Sequence, residues 1–198
     1  MGEYRQPGKS LNGVAQAVFL DRDGVLNEVV LREGKPCAPA SVDEFTILPG
    51  VPEALQKLDE AGFLLIVATN QPDVVHGTVK REAVEAMHER LRALLPLDDI
   101  KVCYEIESAG SKCYKPKPGM LLEAARERAI DLSRSYMVGD RWRDVGCGRA
   151  AGCYTIFIDR GYHEVLQELP DATCADLKEA AAIILANEAC QTRERRAE

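Results

Sequence analysis

Five short, continuously apolar runs recur along the chain and predict β-strands. They cover residues 15–20, 63–68, 101–104, 135–138 and 154–158, the third being the weakest. A half-exposed strand alternates apolar and polar residues, whereas a strand covered on both faces does not. The continuous apolar character therefore favours a parallel sheet with helices on both sides.

Helical patterns separate these runs. They cover residues 51–61, 80–95, 120–129, 144–151 and 176–189. The first has Pro52 in its opening turn and Gly62 just past its end, an asymmetry typical of helices. Alternating strands and helices predict an α/β fold with an open, mostly parallel, doubly wound sheet. Loop insertions are predicted at 27–47 and 105–118.

The length of 198 residues suits one domain. We expect a single domain over 14–190, with flexible tails at 1–13 and 191–198, where the polar or charged composition is poor in apolar residues. The net charge of −7 argues against a nucleic-acid-binding surface, which needs basic stripes. No apolar stretch approaches the roughly 20 residues of a membrane helix.

The cellular setting follows from the start of the chain and its cysteines. Residues 1–8 are polar and do not resemble a secretory signal. The seven cysteines form no tight framework, which is typical of reduced thiols in the cytoplasm. We therefore expect a cytoplasmic monomer with neither a nucleic-acid nor a membrane partner.

Two carboxylates follow the first predicted strand, at the edge of the sheet where α/β proteins bind ligands. They are Asp21 and Asp23, and Gly24 after them eases the turn of the backbone. One carboxylate can attack phosphorus to form an aspartyl-phosphate while the other handles a proton. The alternative is a surface Asp-x-Asp-Gly turn, since these residues are common in turns.

Further polar residues follow the later strands. The hydroxyl of Thr69 and the amide of Asn70 can hold phosphate oxygens, and Lys115, in a proline-stiffened segment, can supply a fixed cation. Asp140, facing Asp21 and the backbone carbonyl of Asp23, would complete a Mg²⁺ site. Each residue alone also fits an ordinary loop, and Asp144 fits a helix cap as well as a supporting role.

In this order the motifs DxDGV, hydrophobic-Thr-Asn, Lys-Pro and Gly-Asp-x-x-x-Asp resemble the haloacid dehalogenase superfamily of phosphatases, over about residues 14–158. The resemblance implies Asp21 as nucleophile, Asp23 as general acid and base, and Thr69 and Lys115 as phosphate ligands. It implies Mg²⁺ held by Asp21, the Asp23 carbonyl and Asp140.

The stretches FLDRDGVLN and SYMVGDRWRDV are similar to a branch that includes heptose bisphosphate and histidinol phosphate phosphatases. Members of that branch lack a large cap domain. The resemblance implies a small phosphorylated sugar as substrate, with heptose 1,7-bisphosphate first. The alternatives are histidinol phosphate or another small metabolite and, in a different class, a receiver-like or degenerate module without turnover.

The chain departs from this branch in two places. The branch usually carries a zinc loop, of which Cys103 and Cys113 remain, but Glu105 and Ser111 replace two ligands. Serine is a poor zinc ligand, so no zinc is expected, and the loop is either held by packing or, under oxidation, closed by a disulfide. Tyr114 stands where the branch has arginine, which predicts altered recognition of the far part of the substrate, because tyrosine cannot bind phosphate bidentately.

Overall fold

The computed structural model describes residues 14–107, 110–162 and 164–197. Eight strands are present in this part of the chain: β1 Ala17–Leu20, β2 Val30–Arg32, β3 Lys35–Cys37, β4 Leu64–Asn70, β5 Asp99–Cys103, β6 Tyr136–Gly139, β7 Tyr154–Ile158 and β8 Ala172–Cys174. Six of them form a sheet in the order β5-β4-β1-β6-β7-β8, and every pairing within it is parallel. The predicted open parallel sheet is confirmed, with β1 near its centre.

Helices cover both faces of this sheet. They are α1 Val51–Glu60, α2 Arg81–Leu94, α3 Gly119–Arg128, α4 Trp142–Ala151 and α5 Leu177–Ala197. The side chains of β1 alternate between two cores: Val18 and Leu20 pack with residues of α1, α2 and α5, whereas Phe19 packs with residues of α3 and α4. Burial on both faces is the physical reason for the continuous apolar strands seen in the sequence.

The structure differs from the predicted elements in three places. The predicted loop at 27–47 contains the antiparallel β2–β3 hairpin and a short 3-10 helix at Val42–Glu44. The edge strand β8 was not predicted, since three residues give little pattern. Helix α5 runs to Ala197, beyond the predicted helix end at residue 189, so most of the segment predicted as a flexible tail is helical.

The charged composition of residues 191–197 explains the error in α5. Glu, Arg and Gln are good helix formers, so a charged stretch can continue a helix. The tail predicted at 1–13 lies outside the described residues. No helix in the described part of the chain is both long and apolar enough to cross a membrane.

The carboxyl edge of the sheet carries only a small insertion. Between β1 and α1 the described chain forms the hairpin and the short 3-10 helix, and no separate cap domain is built there. The prediction of a site without a large cap is confirmed. The strand ends of β1, β4 and β6 therefore meet at an edge that small loops surround.

Candidate active site

Asp21 lies at the point where β1 ends. Its backbone N–H donates to Val138 O of the neighbouring strand β6 at 2.9 Å, so the backbone is still held by the sheet. Its side chain is 11% exposed, and Oδ1 lies 2.8 Å from Lys115 Nζ. The central strand thus presents one carboxylate, nearly buried, at the carboxyl edge.

Lys115 is the cation among these carboxylates. Its Nζ lies 2.8 Å from Asp21 Oδ1 and 2.6 Å from Asp144 Oδ1, and it donates to Ala68 O at 2.8 Å. Asn70 holds the lysine backbone, because its Oδ1 accepts from Lys115 N at 3.0 Å and its Nδ2 donates to Lys115 O at 3.2 Å. The Asn70 amide, predicted to bind phosphate, is therefore engaged in positioning the lysine.

Asp140 and Asp144 flank the start of α4. Asp144 Oδ2 accepts from Arg141 N at 3.0 Å, so this residue both caps the helix and pairs with Lys115. Asp140 is 1% exposed, and neither of its carboxylate oxygens has a hydrogen-bond partner among the described residues. The Asp140 carboxylate packs directly against the backbone of Gly24, where any side chain would overlap it, since even a Cβ at that position has no room.

The three buried carboxylates form a candidate cation site. One oxygen from each of Asp21, Asp140 and Asp144 lies within 4.8 Å of the others, and no other such group of His, Cys, Asp or Glu occurs in the described chain. The unpartnered Asp140 oxygens and the all-oxygen donor set suit Mg²⁺, which prefers carboxylates and water. The predicted ligands Asp21 and Asp140 thus come together, with Asp144 as an additional neighbour.

The electrostatics of the site are those of carboxylates lacking enough positive charge. Burial, followed by the charge of Asp144, raises the pKa of Asp21 to about 7, although Lys115 opposes the shift. Burial and the charge of Asp21 raise the pKa of Asp140 well above its usual value. A divalent cation would relieve both shifts by stabilising the charged carboxylates.

The Asp23 carboxylate is oriented by side chains that surround it. Arg22 Nη2 donates to both of its oxygens at 3.0 Å, Asn27 Nδ2 to Oδ1 at 3.0 Å and Gln71 Nε2 to Oδ2 at 2.9 Å. The same Gln71 amide donates to Thr69 Oγ1 at 3.0 Å. Because that hydroxyl accepts from Gln71, its own proton is directed elsewhere, which suits a phosphate oxygen.

A cleft of 320 Å³ opens above these groups. Its walls include Asp21, Asp23, Tyr114, Lys115, Asp140 and Arg143. The guanidinium of Arg143 lies 5.8 Å from the centre of the Tyr114 ring and 4.6 Å from that of Trp142. Its Nη2 donates to Glu107 at 2.8 Å. An arginine thus stands beside the tyrosine, contributed by α4 rather than by the loop before Lys115.

The remnant of the zinc loop contains a disulfide. Cys103 and Cys113 are joined, their Cα atoms being 5.6 Å apart, so this pair forms the disulfide that was left open as an alternative, and not the reduced thiols expected by default. Neither sulfur is then a thiolate ligand for a metal. Ser111 Oγ accepts from the backbone N–H groups of Cys113 and Tyr114, and Glu105 is exposed. The described part of the chain contains no second disulfide.

Several residues of the site were not singled out from the sequence. Arg22, Gln71 and Arg143 each sit next to a recognised motif residue, and their positions within those motifs were the only available signal. His88, which lies within the helix pattern at 80–95, contacts Arg22 in the buried interior.

Comparison with known proteins identifies the family. The HAD-hydrolase-like family model matches residues 112–180. D-glycero-D-manno-heptose-1,7-bisphosphate 7-phosphatase of Thermosynechococcus vestitus is 35% identical over 190 residues, which covers 84% of this chain and 93% of the relative. The chain belongs to the haloacid dehalogenase superfamily.

Other members of this superfamily agree in sequence and in fold. D-glycero-beta-D-manno-heptose-1,7-bisphosphate 7-phosphatase of Pseudomonas aeruginosa is 33% identical over 85% of this chain and 97% of its own length. The crystal structure of D,D-heptose 1,7-bisphosphate phosphatase from B. bronchiseptica, complexed with magnesium and phosphate, is 30% identical with a TM-score of 0.75. That likeness covers 87% of this chain and 99% of that one. The predicted superfamily and its fold are confirmed.

Proposed function

We propose that this chain is a Mg²⁺-dependent phosphomonoesterase that acts through an aspartyl-phosphate on Asp21. The observation that carries the proposal is the buried group of charges at the carboxyl edge: Asp21 is paired with Lys115, and the Asp140 carboxylate has no hydrogen-bond partner in the described part of the chain. A carboxylate nucleophile beside a fixed cation and a cation site is what phosphoryl transfer requires, because its catalysis is mostly positioning and electrostatic stabilisation.

Asp21 and Asp140 would hold the Mg²⁺ ion, together with the backbone carbonyl of Asp23. The ion, when bound, neutralises charge on the phosphate oxygens during transfer. The donor set fits, since buried carboxylates with raised pKa values favour a bound cation. Asp144 lies in the same cluster but is engaged by Lys115 and the Arg141 backbone, so we assign it to positioning the lysine.

The reaction proceeds in two transfers. The Asp21 carboxylate attacks phosphorus as the bond to the sugar oxygen breaks, and Asp23 gives that oxygen a proton. Asp23 then takes a proton from water, whose oxygen attacks phosphorus and releases Asp21 and inorganic phosphate. Thr69 and Lys115 hold phosphate oxygens throughout, since the hydroxyl can donate and the ammonium faces Asp21.

The substrate we propose is D-glycero-D-manno-heptose 1,7-bisphosphate, cleaved at the 7-phosphate. Two relatives named for this activity are 35% and 33% identical to this chain over 84% and 85% of its length. The small cleft suits a sugar phosphate, and we assign Tyr114 and Arg143 to the far part of the substrate. The monomeric state and the cytoplasmic location stay predictions.

The test is Mg²⁺-dependent phosphate release from a panel of substrates. The panel contains both anomers of heptose 1,7-bisphosphate, heptose 7-phosphate, fructose 1,6-bisphosphate and histidinol phosphate. We expect selective turnover of one heptose bisphosphate and none by Asp21→Asn. Preference for histidinol phosphate would overturn the substrate, and activity retained in Asp21→Asn would overturn the mechanism.

A further inference from the structure

Arg22 stands between the two aspartates in sequence, and its side chain is 0% exposed. Its Nε and Nη2 face the Asp23 carboxylate at 3.2 and 3.0 Å. A guanidinium has five N–H donors and no acceptor, and a buried one needs a partner on each edge. Asp23 occupies one edge, so the Nη1 edge requires an acceptor from elsewhere.

His88 of α2 supplies that acceptor. The ring is fully buried, and its Nε2 lies 3.1 Å from Arg22 Nη1. Because arginine can only donate, Nε2 accepts, and the ring is neutral with its proton on Nδ1. Burial, reinforced by the charge of Arg22, lowers the pKa of His88 to about 4, which keeps the acceptor available at neutral pH.

The other ring nitrogen is not strongly engaged. His88 Nδ1 lies 3.7 Å from Glu85 Oε2, beyond a good hydrogen bond, and Glu85 itself accepts from Tyr104 Oη at 2.5 Å. The ring of Phe45 lies 6.0 Å from the Arg22 guanidinium. His88 on α2 and Phe45 near the hairpin thus hold the Arg22 guanidinium in place, and its other edge donates to the Asp23 carboxylate.

We propose that Arg22 and His88 are a positioning pair that fixes the direction of the Asp23 carboxylate for proton transfer to the leaving group. The proposal rests on the proposed function, in which Asp23 is the general acid. Both residues are fully buried, so they act through Asp23 rather than on the substrate. General acid catalysis requires the donor within hydrogen-bond reach of its target, and a rotated carboxylate loses that reach.

The choice of leaving group separates this role from a structural one. A sugar alkoxide needs a proton as it departs, whereas 4-nitrophenolate departs without one. The ratio kcat/KM reports the steps up to this departure and excludes the later attack of water. A misdirected Asp23 therefore lowers kcat/KM for the sugar ester selectively, while general damage to the fold lowers it for both esters.

The experiment compares His88→Met, which removes the acceptor, with His88→Gln, whose amide oxygen can take the place of Nε2. Met87→Leu is the matched control, since Met87 is equally buried in the same helix but apolar. For His88→Met we expect kcat/KM to fall about 10- to 100-fold on heptose 1,7-bisphosphate and less than about threefold on 4-nitrophenyl phosphate. His88→Gln and Met87→Leu should stay within about threefold of wild type on both.

Three results would overturn the positioning pair: an equal fall on both esters, no fall on either, or His88→Gln behaving as His88→Met. If His88→Met does not fold, Arg22→Lys carries the test, because it keeps the buried charge but lacks the fork, and it must show the same selective loss. If the wild-type protein is inactive on both esters, the proposed function itself is refuted. If the wild type is active and the variants keep its ratio of kcat/KM between the two esters, only the role of Arg22 and His88 is refuted.

Discussion

Replacing Lys115 with methionine removes the cation from a cluster of buried carboxylates. The lysine is 2% exposed and bridges Asp21 and Asp144 at 2.8 and 2.6 Å. Methionine is close to lysine in length, so packing changes little while the charge is lost. We expect strong destabilisation of the metal-free protein, because uncompensated charge is left in the interior.

The expected decrease in the free energy of unfolding follows from the burial of the ion pair between Lys115 and Asp21. Removing one partner of a buried ion pair costs about 3–5 kcal/mol, and we expect that range at pH 8. The pKa of Asp21 is raised from 3.8 to about 7 in the folded wild type, so its charged form lowers stability above pH 7. This cost is relieved as pH falls through 7 towards 4, because the folded state binds the proton first.

Loss of Lys115 raises the pKa of Asp21 further, since the lysine is what opposes the shift. Between pH 8 and 6 wild-type Asp21 contributes a gain of about 1.4 kcal/mol, and a variant with a pKa above 8 gains up to about 2.7 kcal/mol. The destabilisation of Lys115→Met should therefore shrink by about 1 kcal/mol at pH 6.

Urea unfolding in EDTA at pH 8 and pH 6 measures both quantities. Lys117→Met is the matched control, because Lys117 is exposed and two residues away, and we expect its effect within about 0.5 kcal/mol. The reasoning is refuted if Lys115→Met loses less than about 1 kcal/mol at pH 8, or if its loss grows at pH 6.

Three further predictions concern the metal and the substrate. Asp140→Asn should weaken Mg²⁺ binding at least about tenfold by calorimetry, while the metal-free variant gains about 1–3 kcal/mol, because a buried charge is removed; unchanged affinity would exclude Asp140 as a ligand. Mg²⁺ affinity of wild type should fall by about tenfold or more per pH unit below 7, since the ion displaces protons from Asp21 and Asp140. A pH-independent affinity between 8 and 6 would contradict that. Arg143→Ala should raise KM for heptose bisphosphate about tenfold and leave 4-nitrophenyl phosphate unaffected, and equal effects on both would argue against contact with the distal phosphate.

The sheet and the motif residues could be predicted because their signals are local. Burial on both faces makes the strands continuously apolar, and the residue after each strand lies at the same edge by topology alone. Asp21 and Asp140 meet for that reason, whereas the loop between β5 and α3 brings Lys115 to them. The edge strand β8 and the strands β2 and β3 have too few residues to show a periodic pattern of apolar positions. Helix α5 continues through a charged stretch whose composition favoured a tail.

The contacts of the site could not be predicted, since they depend on packing between distant elements. His88 and Arg22 are 66 residues apart and meet only when α2 packs on the sheet. Arg143 reaches Tyr114 because α4 starts beside the Lys115 loop. The disulfide between Cys103 and Cys113 depends on how the intervening loop closes. The spacing of the two cysteines alone could not distinguish a disulfide from a loop held by packing or from a metal site.

The central claim is that phosphate passes through the Asp21 carboxylate. Rapid acid quenching of wild type with Mg²⁺ and heptose 1,7-bisphosphate, followed by mass spectrometry of the peptide containing Asp21, measures it directly. We predict a phosphoryl adduct on Asp21 within the first turnover, absent from Asp21→Asn, which also releases no phosphate. Phosphate release by Asp21→Asn at the wild-type rate, or a phosphoryl group on another residue, would contradict the account.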